Sequence, residues 1–397
     1  MLTPAGRNEP PAARVAVAAA FASIFVLAVS SNTLPAVLLR AAPDVGMRAE
    51  MLALAASIQF AGFFLATLVG GVLCDRFGKK PVLQCACLLT AAGALVWTVA
   101  ANIFVACAAA ALLGMGIGIL ESMATALLAD LYPLRRSLVL NLSQAAYCLG
   151  AAGGPALIAV FMPRGVSWRI FFAATAGLAG ALFVLYRLAL IPTTQSGERA
   201  SPSRAETQAI LFTLPGLAGA IFCYVLAETA VVVYANLHLR AHLAAPEAWA
   251  IRGISAVWLG MLAGRLLCAA LPERLPGERV IAVLCAAAAL ALVAQAPVSD
   301  WRLGFALLTV TGFSFAGIWP LIVSLAAARH PTRTGTAVGF IVAAGSLGAI
   351  AAPLLVSGLL HGATGWRFFL LLALLLCATA VLTGWRRGKH RYNGVMA

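Results

Sequence analysis

Trp168-Arg169-Ile170-Phe171 returns 198 residues later as Trp366-Arg367-Phe368-Phe369, and that offset decides the fold. The same step carries Gly62 to Gly260, Arg76 to Arg274, Gly114 to Gly312, Pro133 to Pro331, Gly150 to Gly348 and Pro155 to Pro353, while Asp75 becomes Glu273. A register that survives more than 100 residues without a net insertion, at Trp, Arg, Gly and Pro positions, marks a duplicated unit.

What is duplicated is a set of membrane spans. The 397 residues are 62% hydrophobic and 10% charged, with a mean hydropathy of +0.98, a surface no water-soluble domain of this size tolerates. Apolar stretches predict spans over 15–39, 51–73, 81–101, 104–130, 138–161, 169–191, 209–238, 247–271, 280–296, 302–328, 335–360 and 366–385. Each has the roughly 20 residues a bilayer demands of a helix. The expected fold is an all-α membrane protein, twelve transmembrane helices in two pseudo-symmetric six-helix bundles. Residues 1–191 form the first bundle, the polar stretch 192–208 a cytoplasmic linker, and 209–397 the second. An even number of spans separates the copies, so both halves share one orientation and are related by an axis along the membrane normal.

The net charge of +14 would suggest nucleic acid in a soluble protein, but here the basic residues sit in loops. With both termini inside, eighteen of them fall on the cytoplasmic side and eight on the other, the bias that fixes topology. A bacterial inner membrane and a monomer are expected. None of the nine cysteines forms a CxxC pair, and His238 and His242 have no third ligand in view, so neither a zinc site nor a disulfide framework is expected. With no nucleotide-binding glycine loop either, no metal, cofactor or enzymatic activity is expected.

The segment Gly71-Val72-Leu73-Cys74-Asp75-Arg76-Phe77-Gly78-Lys79-Lys80 resembles the signature loop of the major facilitator superfamily. That resemblance implies two bundles opening alternately around a central site. It also implies a cytoplasmic gate of Gly71, Asp75, Arg76, Gly78, Lys79 and Lys80, with Asp75 pairing to Arg135 or Arg136. Leu120-Glu121-Ser122, Leu140-Asn141-Leu142-Ser143-Gln144 and Tyr224-Val225-Leu226-Ala227-Glu228 are similar to the fucose-galactose-glucose:proton symporter branch. Members of that branch carry an acid on the first helix, where this chain has only Ser30-Ser31-Asn32-Thr33, so proton coupling stays open. Gly150-Ala151-Ala152-Gly153-Gly154-Pro155 is similar to an antiporter motif, which keeps export open.

An ionisable group at mid-bilayer costs about 2.5–3.5 kcal/mol on insertion scales, so each needs a partner or a water-filled cavity. Glu121, Glu228 and Arg265 meet that description. Desolvation at the midplane favours the neutral carboxyl of Glu121, which could hold a proton and accept hydrogen bonds from a hydroxylated solute. Arg265, six residues from its helix end, is expected to snorkel to the interface. Asn32, Gln59, Asn141, Gln144 and Tyr147 extend the candidate site, as do Tyr224 and Asn236 on the face of Glu228. Trp319, at the repeat position of Glu121, is expected to line the cavity as a stacking surface. The expected partners are a small polar solute, protons and the lipid bilayer. Three functions fit: a sugar-like symporter, an efflux antiporter, and a transport-inactive receptor or scaffold.

Overall fold

The computed structural model describes residues 11–46, 49–191, 210, 212–271, 274–360 and 365–384. The expected linker and Glu273 lie outside them. All regular structure among the described residues is helical. The first bundle holds α1 (Pro11–Asp44), α2 (Ala49–Phe77), α3 (Lys79–Thr98), α4 (Ile103–Leu131), α5 (Arg136–Phe161) and α6 (Trp168–Leu188). The second holds α7 (Pro215–Leu237), α8 (Glu247–Ala270), α9 (Gly277–Ala294), α10a (Trp301–Phe315) with α10b (Ile318–Arg329), α11 (Thr334–Leu360) and α12 (Gly365–Gly384).

Eleven spans among the described residues are long and apolar enough to cross a bilayer, α10a and α10b counting as one. The twelfth helix, α5, is 26 residues long and carries Ser137, Asn141, Ser143 and Gln144 in its first third. The expected span 302–328 is broken at Ala316-Gly317, four residues before Pro320, whose missing N–H leaves the carbonyl of residue 316 without its helical donor. At the start of the chain, α1 runs nine residues further in total than the expected 15–39 and accommodates Pro35.

Neighbours in the two bundles correspond helix for helix. In the first, α2 packs on α4, α1 on α5, α3 on α6 and α1 on α6; in the second, α8 packs on α10a, α7 on α11, α9 on α12 and α7 on α12. The repeated glycines explain the match. A Cβ on Gly62 would strike the carbonyl oxygen of Ala111, and one on Gly260 that of Thr309, its counterpart at the same 198-residue step. Backbones this close gain dispersion contacts that substitute for the hydrophobic force absent in lipid.

Between bundles, α2 lies against α11 and α5 against α8, two contacts that the pseudo-twofold axis exchanges. The face on which α6 ends and α7 begins is termed the linker face below.

On the opposite face α7 ends in a single π turn, His238–His242. His238 stacks on Tyr234 and meets Phe369 edge to face, and its Nε2–H donates to Gln295 Oε1 at 3.2 Å. Burial is the main reason its ring stays neutral down to about pH 4, with His242 adding repulsion and the Gln295 bond opposing both. Between that value and the usual 6.5 the unfolded chain binds a proton that the folded protein refuses. Stability should therefore fall as pH drops from 7 to 5, by about 2 kcal/mol. Replacing His238 with Asn should flatten the pH profile of the melting temperature; an unchanged slope would refute the assignment.

Candidate functional site

Glu121 lies ten residues before the end of α4, about 15 Å above the linker face. Glu228 is thirteen residues into α7, about 20 Å up, and Arg265 five residues before the end of α8, about 8 Å up. Both carboxyl side chains are half-buried although protein surrounds them, as expected of groups lining an internal space.

Arg265 departs from expectation. Instead of snorkelling it is 3% exposed, and its Nη1 donates across the bundle boundary to the Gln144 carbonyl oxygen (2.6 Å) and meets Cys148 Sγ (2.9 Å) on α5. Glu121, Glu228, Tyr147 and Tyr224 all lie within its electrostatic reach. A guanidinium with five donors finds acceptors and countercharge here that the interface would replace only with water and headgroups.

The other expected residues divide by height. Tyr147 is half-buried and faces the ring of Trp258 on α8 at 6.0 Å, so aromatic surfaces from both bundles meet beside Glu121. Tyr224 is fully buried; its hydroxyl donates its one proton to the Phe315 carbonyl (3.0 Å), so toward Glu228, within hydrogen-bond range, it can only accept from the protonated carboxyl. Trp319 is 8% exposed at the level of Glu121. Asn141 and Gln144 are buried below the two acids. Asn141 Nδ2 donates to Ser137 O on its own helix, while Asn141 Oδ1, Gln144 Nε2 and Arg265 Nε have no protein partner. Gln59 stands about 27 Å above the linker face, too high to join this group. Asn32 spends its amide on Ala28 O of α1. The side chain of Asn236 lies outside the described residues.

The linker face is shut by groups from both bundles. Asp75 Oδ2 accepts from the backbone N–H (2.9 Å) and the hydroxyl of Thr336. Lys79 Nζ pairs with Asp130 Oδ2 at 2.7 Å, and that oxygen also accepts from Thr334 Oγ1 at 3.0 Å. Two carboxylates of the first bundle thus sit on the amino end of α11 in the second, where orphan N–H groups and the helix dipole favour negative charge. The motif pairing expected with Arg135 or Arg136 gives way, in the described contacts of Asp75, to Thr336. Arg136 turns its Nε to Ala129 O, and Lys80 holds the last carbonyls of α6, Arg187 O and Ala189 O. Arg76 lies exposed over the ring of Phe77, and Gly78 adopts φ +87°, the left-handed turn that joins α2 to α3. Gly71 faces Gly335: a Cβ on Gly71 would lie 2.7 Å from the Gly335 oxygen.

Arg265, Cys148, Trp258, Thr336 and Asp130 were not among the residues expected at the site or gate. A signal existed for Asp130, an acid at the carboxyl end of α4 where the helix dipole disfavours it and calls for a cation. Thr334 and Thr336 had one too, as hydroxyl residues at a helix start.

A family model described as Major Facilitator Superfamily matches residues 19–301 and 217–394. No curated relative matches. Among solved structures, FucP, a major facilitator transporter in the outward conformation, superposes with a TM-score of 0.80 at 20% identity, covering 92% of this chain and 97% of that one. The human organic anion transporter MFSD10 gives 0.74 at 17%, covering 94% and 100%. The proton:xylose symporter XylE bound to 6-bromo-6-deoxy-D-glucose gives 0.74 at 15%, covering 94% and 95%. At these identities the likeness is one of fold.

Proposed function

The chain belongs to the major facilitator superfamily, and from that premise we propose that it moves a small, hydroxylated, sugar-like solute by alternating access, with Glu121 carrying a proton. The observation that carries this reading is a half-buried carboxyl about 15 Å deep in the bundle, beside Tyr147, whose ring in turn faces Trp258 of the opposite bundle. Such an acid can bind a proton or accept hydroxyl hydrogen bonds, and flat aromatic rings stack on the apolar face of a sugar. The fold relatives named for fucose and xylose lend the same direction. Asp75, Asp130 and Lys79 act as the gate, closing the linker face on the amino end of α11. The excess of basic residues supports a cytoplasmic linker face in a bacterial inner membrane.

Purified protein in liposomes preloaded with unlabelled fucose, xylose or glucose should exchange the corresponding labelled sugar without any imposed gradient. No exchange across this panel would overturn the sugar-like reading. Export is the second reading, favoured by the first helix: Ser30, Asn32 and Thr33 all bond to carbonyls of their own turn, and none of them is an acid. An inward proton gradient separates the two, driving accumulation for symport and extrusion for antiport.

A further inference from the structure

We infer that Arg265 is a movable bolt between the bundles, whose hold on α5 strengthens when Glu228 is protonated. The inference deepens the reading above and depends on it only for the presence of protons in the cycle.

The geometry supplies two sets of competing partners. On one side are neutral acceptors of the first bundle, the Gln144 carbonyl oxygen and the Cys148 thiol, both on α5. On the other is the carboxyl of Glu228 on α7 of its own bundle; Glu121 on α4 belongs to the first bundle, as Gln144 and Cys148 do, and draws Arg265 the same way they do. The remaining titratable groups around the guanidinium are Tyr147 on α5, Tyr224 on α7 and Cys268 on α8 itself. Hydrogen bonds from a guanidinium to an ionised carboxylate are about twice as strong as those to a neutral acceptor. Protonating Glu228 therefore removes the stronger competitor and leaves Arg265 to α5, which fastens the linker face. Ionising Glu228 draws Arg265 back toward its own bundle and unfastens it.

Opening the linker face separates α5 from α8, so the Gln144 bond exists only while that face is shut. By reciprocity of linkage, whatever protonation does for closure, closure does for protonation. Glu228 binds its proton more tightly with the linker face closed and loses it as that face opens. This delivers a proton in one direction without an acid on the first helix. Cys268, Leu271, Leu321 and Leu325 of the second bundle enclose, with Ser137 of α5, a cavity of about 150 Å³ beside the bolt, which leaves room for the two helices to part.

Hydrogen–deuterium exchange of the purified, full-length protein tests this without any knowledge of the solute. At pH 7.5 the variant Glu228→Gln, which mimics the protonated acid, should exchange at least threefold more slowly than the parent at the two gate segments, 71–78 and 334–340. Adding Arg265→Gln should abolish that difference, whereas Arg265→Lys, which keeps the charge, should preserve part of it. The inference is overturned if Glu228→Gln exchanges like the parent, or if its protection persists with Arg265→Gln. Sugar exchange in liposomes is read separately, so a failed solute assignment leaves this result standing, and a failed bolt leaves the solute assignment untouched.

Discussion

Gly71→Leu is expected to hold the linker face open and to reduce transport about tenfold to a hundredfold. A side chain at position 71 would meet main-chain atoms of the opposite bundle, the Gly335 oxygen at 2.7 Å and the Thr336 Cα at 3.0 Å. Neither can rotate away as a flexible side chain could. Inserting bulk into a packed contact costs about 1–3 kcal/mol, and each 1.4 kcal/mol shifts an equilibrium tenfold. The clash exists only when the bundles meet, so each bundle keeps its own packing and the variant should express and purify like the parent. Site-directed labelling at exposed Leu134 and Thr332 should report a lengthened separation between the two bundles. A variant that transports normally, or a separation equal to the parent's, would refute this gate.

Glu121→Gln is expected to abolish solute accumulation against a gradient while leaving exchange measurable. Glutamine keeps the shape and one acceptor oxygen but cannot take up a proton, so the proton gradient loses its handle. A hydrogen bond to a charged group is worth about 1.5–3 kcal/mol, so solute affinity should weaken about tenfold or more. Uptake into proteoliposomes with and without a pH difference separates the two effects. Undiminished accumulation would remove Glu121 from the coupling role and leave Glu228 as the remaining acid.

The helices and their pairing were open to reading because their causes are local or repeated. Twenty-residue apolar runs have one stable form in lipid, and glycines such as Gly114 and Gly312 recur wherever backbones touch. The break at Ala316-Gly317 has its cause in Pro320, although the apolar run 302–328 read as one span. Contacts between bundles were harder to foresee. Asp75 meets Thr336 across 261 residues, Arg265 reaches Gln144 across 121, and both contacts tie one bundle to the other. A sequence pattern records which residues are paired in some state, and a helical wheel cannot say which bundle supplies the partner. Arg265 illustrates the difficulty: five residues from a helix end, a snorkelling side chain and an inward one look alike until the acids on α4 and α7 are placed beside it.

The polarity of α5 bears on how the chain is made. The amides at Asn141 and Gln144 near its start add to the cost of leaving the insertion machinery. Its neighbour α1 is already synthesised when α5 emerges, but α8, which covers its other flank, is still more than 80 residues from translation. During biogenesis α5 must therefore shelter against the nascent first half, so late-made helices complete its burial, and truncating the chain before α8 should leave the first bundle with an unstable fifth span.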